Sequence, residues 1–262
     1  MIPNIIHYCW FSGEEMPVVV KDCISSWHRY MPDYEYRLWD MKAIEEIDSQ
    51  FLREAIEARK WAFAADYVRL WAVEKYGGIY LDTDMELYSS LEPFRSDRMF
   101  IGMEQSPNML AGRPWSFLTA HIFGAEAHHP FLQDCMEYYK GRHFLVSTSD
   151  KLPERFRYDM RTSPEIFALM ANSRYDYNPS IKRDNKQICR DGLTIYEPRI
   201  FDALVKKEDS VANHKCLGSW RSGADCGSEV VTKPTFRRYL GNGLRMIIIN
   251  IFKKMGYVLM RI

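Results

Sequence analysis

The first forty residues show a strand-like, a helical and a second strand-like pattern in turn. Residues 4–11 (NIIHYCWF) form a short apolar run that ends at Ser12-Gly13 and predicts a buried strand. Residues 18–30 carry apolar side chains at helical spacing, and Pro32 follows them. Residues 34–40 (YEYRLWD) alternate as a second strand does. The order strand, helix, strand is typical of a parallel sheet covered by helices.

A longer helical pattern extends from Gln50 to Tyr76. Its small and aromatic apolar residues recur at steps of three and four, which predicts one amphipathic helix. The next two residues, Gly77-Gly78, are typical of a left-handed C-terminal cap. The following IYLD (79–82) is too apolar for a half-exposed strand, so we expect a central strand that ends at Asp82.

The second half of the chain has weaker patterns. Residues 131–144 (FLQDCMEYYKGRHF) have helical spacing. A further helix is predicted at TSPEIFALM (162–170), with Ser163 as the N-cap and Pro164 in the first turn. The segment LTIYEP (193–198) predicts a late strand.

Composition indicates one soluble α/β domain. The chain has 262 residues, of which 47% are hydrophobic, and its 35 basic residues balance 35 acidic ones. Because there is no basic excess and no nucleic-acid motif, we expect no nucleic-acid partner. The six cysteines form no CxxC pair, and residues 1–13 do not resemble a signal peptide. Both features lead us to expect a reducing, cytoplasmic location.

Asp82 and Asp84 are the first candidates for chemistry. A DxD triplet occurs by chance about once in a chain of this size, and its simplest role is a strand-end turn that binds backbone amides. At the carboxyl end of a central strand, however, both carboxylates would project to one side, where open α/β sheets bind ligands. Two such carboxylates repel each other unless a divalent cation joins them. Mn²⁺ or Mg²⁺ with phosphate oxygens would suit this arrangement and a nucleotide-diphosphate ligand.

Three blocks of the chain resemble a known family. The blocks are IPNIIHYCWFSG (2–13), AFAADYVRLWAVEKYGGIYLDTDMEL (62–87) and GSW (218–220). In this order they resemble the DxD-containing glycosyltransferase family thirty-two, which includes bacterial capsule and lipid-linked polysaccharide enzymes. The yeast initiating mannosyltransferase and the catalytic domains of large glucosylating bacterial toxins are similar over the same blocks, whereas residues 100–210 match only loosely.

The resemblance implies a GT-A fold, in which a nucleotide-binding α/β sheet carries helices on both faces. It also implies a retaining transfer from a nucleotide sugar, usually a UDP-sugar. By position, Trp10 would stack on the base, Asp66 and Arg69 would reach the ribose and sugar, and Tyr80 would lie near the nucleoside. The alternative for Trp10 is a core position. For Asp66 and Arg69 the alternative is an ordinary surface pair on a helix.

The resemblance also implies a metal site. Asp84 would bind the cation directly. Asp82 would contact sugar or ribose hydroxyls and the water that is bound to the cation. The block NHKCLGSW (213–220) contains His214 as a candidate third ligand, and Ser219 and Trp220 as candidate diphosphate contacts. The related enzymes have Ser-x-Trp where this chain has Gly-Ser-Trp, so the third ligand stays open.

Catalysis would follow from charge. The leaving diphosphate gains negative charge. A cation held by Asp82 and Asp84 would stabilise this charge together with Arg69. In a retaining transfer, the acceptor hydroxyl attacks the face that the nucleotide leaves. No carboxylate nucleophile is evident. Glu104 and His121 are candidates for acceptor contacts, and the alternative for both is a structural role.

The C-terminal tail, residues 233–262, is basic and amphipathic. Residues 236–262 contain six Lys or Arg and no acid. Their apolar side chains form a stripe at helical spacing: Leu240, Leu244, Ile247, Ile248, Ile251, Phe252, Met255, Leu259 and Ile262. This pattern is typical of a helix in a membrane interface, although a helix docked on its own domain or on a partner would show it too. We expect residues 1–232 to form the GT-A domain.

Two other functions compete with this prediction. A phosphohydrolase of the haloacid-dehalogenase type also ends a strand in DxD, but it requires Thr or Val where this chain has Glu86. A non-catalytic module that binds a cation or sugar would not need a base-stacking Trp10. The sequence thus predicts a metal-dependent retaining transferase that moves a galactose- or glucose-type sugar from UDP to a lipid-linked glycan or glycolipid. We expect it on the cytoplasmic face of the cell membrane.

Overall fold

The computed structural model describes residues 1–105, 108–110, 113–179, 185–202 and 208–217. Helices and strands follow one another through most of this length. In chain order they are β1 (Ile5–Cys9), α1 (Val18–Tyr30), β2 (Glu35–Trp39), α2 (Gln50–Glu57), α3 (Trp61–Tyr76), β3 (Gly78–Leu81), β4 (Met85–Leu87), β5 (Met99–Met103), β6 (Asn108–Leu110), β7 (Arg113–Trp115), β8 (Leu118–Ala125), α4 (Pro130–Tyr139), α5 (Glu154–Arg157), α6 (Ser163–Arg174), β9 (Gln187–Ile188), β10 (Leu193–Tyr196), α7 (Pro198–Phe201) and β11 (Ala212–His214).

Seven strands form the central sheet in the order β2-β1-β3-β8-β5-β10-β9. The pairs β1–β2, β1–β3 and β10–β5 are parallel, whereas β8 lies antiparallel between β3 and β5. Two small ribbons, β4–β11 and β6–β7, lie apart from this sheet. The carboxyl ends of β1, β3, β5 and β10 therefore meet at one edge, which β8 approaches with its amino end.

Helices cover both faces of the sheet. Alternate strand residues enter two separate apolar clusters: Tyr80 and Ile101 belong to one, and Ile79 and Phe100 to the other. The first cluster contains residues of α2, α3, α4 and α6, and the second contains residues of α1 and α7. All four residues of β3 are buried, because β3 is central and covered on both sides. The predicted α/β sheet with helices on both faces is confirmed for the described residues.

The early elements follow the sequence pattern closely. Helix α1 has the predicted bounds, and strands β1, β2 and β10 lie within the predicted segments, whereas β3 begins one residue earlier than predicted, at Gly78. Gly77 ends α3 with a positive φ of 65°, and its N–H donates to the carbonyl of Val73. The predicted end of the helix at a glycine is thus confirmed, but the ψ of Gly77, −170°, lies outside the left-handed region expected of the cap.

The single helix predicted from Gln50 to Tyr76 is wrong. The chain breaks between α2 and α3 at Arg59, whose φ is +52°, and the N–H groups of Arg59 and Lys60 close the end of α2 on the carbonyls of Ile56 and Ala55. Both helices bury apolar faces in the same cluster, and a break lets them pack against each other. The periodicity of each helix continued across the break and hid it.

The N-cap prediction at Ser163 is off by one residue. Thr162 is the N-cap of α6, and Ser163 is its first helical residue, with Pro164 in the first turn as expected. The backbone N–H of Ser163 donates to Asp66 Oδ2, so the amide finds its acceptor on α3 and not in a local cap.

The C-terminal tail lies outside the described residues, so its predicted helix and the boundary at residue 232 stay predictions. Among the residues that the structure describes, no helix is both long and apolar enough to cross a membrane.

Candidate functional site

The chemistry-bearing residues gather at the edge where the parallel strands end. Trp10 follows β1, Asp82 follows β3 and Glu104 follows β5. His121 lies near the amino end of β8 and reaches the same edge because β8 is antiparallel; its carbonyl accepts the N–H of Asp82 at 2.9 Å. The prediction that the Asp pair ends a central strand is thus confirmed.

Asp82 and Asp84 converge through a tight turn. The N–H of Met85 donates to the carbonyl of Asp82 at 3.0 Å, so the chain turns between them instead of running extended as the sequence suggested. One ligand atom from each of Asp82, Asp84 and His214 lies within 4.8 Å of the other two. This Asp82–Asp84–His214 group combines two carboxylates and an imidazole, a donor set that suits a divalent cation.

The ribbon β4–β11 carries His214 to the Asp pair. The two strands are antiparallel, with His214 opposite Met85, one residue after Asp84. Helix α1 supports the ribbon, since the indole N–H of Trp27 donates to the carbonyl of Met85 and the hydroxyl of Ser26 accepts the N–H of Leu87. The register of this short ribbon therefore fixes which residue faces Asp84.

Asp84 and His214 form a close ionic pair. His214 Nε2 lies 3.2 Å from Asp84 Oδ1, and Asp84 Oδ2 accepts the N–H of Leu217 at 3.0 Å. Burial alone would raise the pKa of Asp84, but His214 outweighs it and the carboxyl pKa is lowered. Likewise burial opposes a charge on His214, yet the carboxylate of Asp84 raises the imidazole pKa well above its ordinary value. Asp84 is thus held ionised, the form that binds a cation.

Arg69 is buried behind the Asp pair. Its Nη2 lies 3.2 Å from both Asp66 Oδ1 and Asp82 Oδ1, while Nε and Nη1 donate to the carbonyls of Ala65 and Ala120. Its side chain is only 6% exposed, so the alternative of a surface pair on a helix is excluded. Arg69 therefore orients the carboxylate of Asp82 through Oδ1. The other oxygen, Oδ2, does not take part in this contact.

Tyr80 completes the support of Asp82. Its hydroxyl donates to Asp82 Oδ1 at 2.9 Å, and the guanidinium of Arg69 lies 4.7 Å from its ring centre. Burial raises the pKa of Tyr80 well above its ordinary value, which keeps the hydroxyl protonated and able to donate.

Asp66 connects this network to α6. Its Oδ1 faces Arg69, and its Oδ2 accepts the backbone N–H of Ser163 at the start of α6. Burial raises the pKa of Asp66, and the positive charge of Arg69 opposes that shift. Asp66 therefore positions Arg69 and α6, and the structure places it beside the site where the sequence predicted a donor contact.

Trp10 is partly exposed and lies directly after β1. Its backbone N–H donates to the carbonyl of Trp39, and its indole N–H donates to the carbonyl of Glu14. Half burial at the ligand edge is compatible with the predicted stacking role, which stays a prediction.

The structure adds Asp202, which the sequence reasoning missed. Asp202 follows α7, and its Oδ2 accepts the N–H of Gln105 at 2.6 Å, beside Glu104. Its Oδ1 lies 3.8 Å from Nε2 of His121. No motif surrounds Asp202 in the sequence, so only its position after the last parallel strand of the sheet could have suggested it. Ser219 and Trp220, the predicted diphosphate contacts, lie outside the described residues.

Part of the chain matches a family profile. Residues 17–104 match the family described as the glycosyltransferase sugar-binding region containing DXD motif. This segment contains Asp66, Arg69, Tyr80 and the Asp pair, but neither Trp10 nor His214. Residues 17–104 are therefore similar to the DXD region of this glycosyltransferase family, and the predicted resemblance is confirmed at that level.

Two curated relatives are glycosyltransferases by name and match this chain over 129 and 80 residues. The chain is 32% identical over 129 residues to inositol phosphoceramide mannosyltransferase 3 of Schizosaccharomyces pombe, which covers 47% of this chain and 35% of the relative. It is 38% identical over 80 residues to the human alpha-1,4-N-acetylglucosaminyltransferase, which covers 30% of this chain and 20% of that protein. The chain thus spans about a third or less of the length of these two relatives.

Solved structures include a distant neighbour, the PaToxG glycosyltransferase. It is 16% identical, with a TM-score of 0.44, over 66% of this chain and 69% of that one.

Proposed function

We propose that this chain is a metal-dependent retaining glycosyltransferase that moves a hexose from a UDP-sugar to a lipid-linked glycan or glycolipid. The assignment to family thirty-two belongs to the same proposal. The observation that carries it is the convergence of Asp82, Asp84 and His214 at the carboxyl edge of the sheet, with the Asp pair inside the DXD segment.

The donor set fits a divalent cation. One ligand atom from each of two carboxylates and one imidazole lies within 4.8 Å of the other two. Arg69 forms an ion pair with Asp82 through Oδ1. Mn²⁺ or Mg²⁺ binds few protein groups and completes its shell with phosphate oxygens and water. In this site the cation would supply charge neutralisation for the leaving diphosphate.

The protein's own groups prepare the site for this role. Arg69 and Tyr80 hold Asp82 in one orientation, and the β4–β11 ribbon holds His214 against Asp84. Preorganised charges of this kind stabilise a developing anion without having to reorganise during the reaction. Trp10 would support the base, and Glu104 would lie toward the acceptor side.

The donor and acceptor follow from resemblance. The name of the fission-yeast relative contains a membrane lipid, inositol phosphoceramide, which supports an acceptor built on a lipid. The relatives' names include mannosyl and N-acetylglucosaminyl transfer, so a donor panel should contain GDP-mannose and UDP-N-acetylglucosamine beside UDP-glucose and UDP-galactose. We further propose that the C-terminal tail holds the enzyme on the inner face of the cell membrane.

The test is nucleotide binding with and without metal. Isothermal titration with UDP should show binding when Mn²⁺ is present and none after addition of EDTA. The Asp84→Asn variant should lose at least about tenfold in UDP affinity with Mn²⁺, because a metal ligand is removed. Slow release of UDP from one sugar of the panel would then identify the donor.

The matched control is Asp48→Asn, which changes the same functional group on the surface, where Asp48 is 95% exposed. This variant should bind UDP as the wild type does. An Asp84→Asn protein with unchanged metal-dependent UDP binding, or a wild type that binds no nucleotide with any metal, would contradict the proposal.

A further inference from the structure

A second donor group lies beside the first and shares one residue with it. Single ligand atoms from His121, Asp202 and His214 lie within 4.8 Å of one another. This histidine group (His121, Asp202, His214) has two imidazoles and one carboxylate, whereas the first group has two carboxylates and one imidazole.

His121 points into this group with an unsatisfied atom. Its side chain is 7% exposed, and its Nε2 is buried without a hydrogen-bond partner among the residues that the structure describes. A buried polar nitrogen without a partner is costly, and such atoms in folded proteins call for an explanation. A bound cation would satisfy it.

The spacing suits ligands of one ion. His121 Nε2 and Asp202 Oδ1 are 3.8 Å apart, which is too long for a hydrogen bond. Two ligands placed 2.0–2.1 Å from a tetrahedral Zn²⁺ are about 3.4 Å from each other. A small movement of the Asp202 carboxylate would therefore bring both atoms into a coordination sphere.

Both side chains are held in place by their surroundings. Asp202 keeps its other oxygen on the N–H of Gln105, and its backbone N–H donates to Pro198. The imidazole of His121 stacks on that of His214, with ring centres 4.2 Å apart and planes inclined by 25°. The three donors thus come from β8, the end of α7 and β11, and they need no large rearrangement to meet.

We infer that His121, Asp202 and His214 form a second cation position, selective for a transition metal such as Zn²⁺. Two imidazoles with one carboxylate are donors that favour Zn²⁺ over Mg²⁺ or Mn²⁺. Because His214 belongs to both groups, Zn²⁺ here competes with the cation of the Asp pair for that ligand. The competition for His214 rests on the proposed function, whereas the binding of Zn²⁺ to the histidine group does not.

The experiment measures metal binding by the untagged full chain without nucleotide. Co²⁺ serves as the spectroscopic probe, since a four-coordinate site gives strong visible d–d absorption, and Zn²⁺ displacement gives the Zn²⁺ affinity. We expect one Co²⁺ per chain, displaced by Zn²⁺. His121→Gln and Asp202→Asn should each weaken Zn²⁺ binding by about tenfold or more. Asp202→Asn keeps an oxygen for the N–H of Gln105, so it serves as the conservative variant.

The control is Asp48→Asn, which removes an exposed carboxylate that belongs to neither group. Its Zn²⁺ affinity should stay within about twofold of the wild type, since Asp48 is not a ligand in the histidine group. Matching melting temperatures of the metal-free variants would show that losses of affinity do not come from unfolding.

Three results would overturn the inference: no Zn²⁺ binding, Zn²⁺ affinity unchanged in both His121→Gln and Asp202→Asn, or thiolate-to-cobalt charge-transfer bands that assign the metal to cysteines. With UDP and Mn²⁺ present, Zn²⁺ should weaken UDP binding in the wild type and do so less in Asp202→Asn. If no UDP binds under any condition while the Zn²⁺ results hold, the proposed function fails and the second cation position stands.

Discussion

At the scale of single residues, the site depends on one buried arginine. Arg69 contacts two carboxylates and two backbone carbonyls at once, which uses the planar fork of the guanidinium. A buried charge is stable only when it is paired and hydrogen-bonded, and Asp66 and Asp82 provide the pairing. The pair Asp66 and Arg69 therefore orients the Asp pair from behind, whatever further contact with a donor it makes.

His7 is a second buried residue with a defined state, and it makes stability depend on pH. Its Nδ1 accepts the indole N–H of Trp39, so its Nε2–H donates to the carbonyl of Gly77. Burial, the largest cause, lowers the pKa of His7 from 6.5 to about 4. In the unfolded chain, His7 therefore binds a proton below pH 6.5, whereas in the folded protein it binds one only below about pH 4. The stabilisation from neutral His7 is complete above pH 6.5 and is lost as the pH falls toward 4.

We expect the free energy of unfolding to fall by about 2 kcal/mol from this residue between pH 7 and pH 5. Urea denaturation at both pH values, on wild type and His7→Gln, should show a pH dependence smaller by that amount in the variant, which cannot titrate. His28→Gln, the same change at an exposed histidine on α1, is the matched control. An equal slope in His7→Gln and the wild type would show that His7 is not held neutral.

At the scale of elements, the turn from α3 into β3 positions the Asp pair. Gly77 has φ +65° and Gly78 has φ +102°, and this reversal sends the chain from the outer helix into the centre of the sheet. A Cβ at Gly77 would lie 2.8 Å from the backbone N of Ala127 and 2.9 Å from the ring of Pro3. The turn is therefore restricted both by backbone conformation and by close packing.

Gly77→Ala should destabilise the protein by about 3 kcal/mol or more, since strain in φ and a steric clash add. Gly13→Ala is the matched control, because Gly13 has φ +70° but a Cβ added there would meet no atom of the described residues within 4 Å. This control should cost only about 1 kcal/mol, the strain in φ alone. Thermal or urea denaturation of both variants measures the difference. Equal losses in the two would mean that backbone conformation, and not packing, limits the turn.

At the scale of the whole molecule, we propose that the enzyme combines a catalytic sheet with a separate tail that brings it to its acceptor. A lipid-linked acceptor presents its hydroxyls at a membrane surface, and the C-terminal tail has the charge and apolar stripe to bind that surface. The described site residues all precede the tail in the chain. Removal of the tail should therefore abolish membrane binding without abolishing nucleotide binding.

Deletion of residues 236–262 should abolish sedimentation with vesicles that contain anionic lipid, while UDP binding with Mn²⁺ persists. Replacement of Arg238, Arg245, Lys253 and Lys254 by Gln keeps the apolar stripe and tests the charge alone. It should weaken vesicle binding and make it less sensitive to salt, by about 1 kcal/mol for each cation near the surface. Undiminished vesicle binding by the deleted form would place the membrane contact elsewhere.

The sequence by itself determined most elements in the first half of the fold and pointed to several residues of the candidate site. The bounds of α1, the end of α3 at Gly77 and the buried strand before Asp82 follow from local rules, because periodicity, helix-ending glycines and apolar runs depend on neighbouring residues. The resemblance over the same blocks pointed to Asp66, Arg69 and Tyr80, all of which the structure brings to Asp82.

Only the tertiary structure decided what depends on distant partners. The break at Arg59 arises because α2 and α3 pack on each other. At the start of α6, the backbone N–H of Ser163 donates to Asp66, almost a hundred residues earlier in the chain. The third ligand candidate, His214, is fixed by the register of the β4–β11 ribbon, and Asp202 joins His121 only through the order of strands in the sheet. Such contacts have no local signal, since sheet pairing unites residues by topology and not by their spacing along the chain.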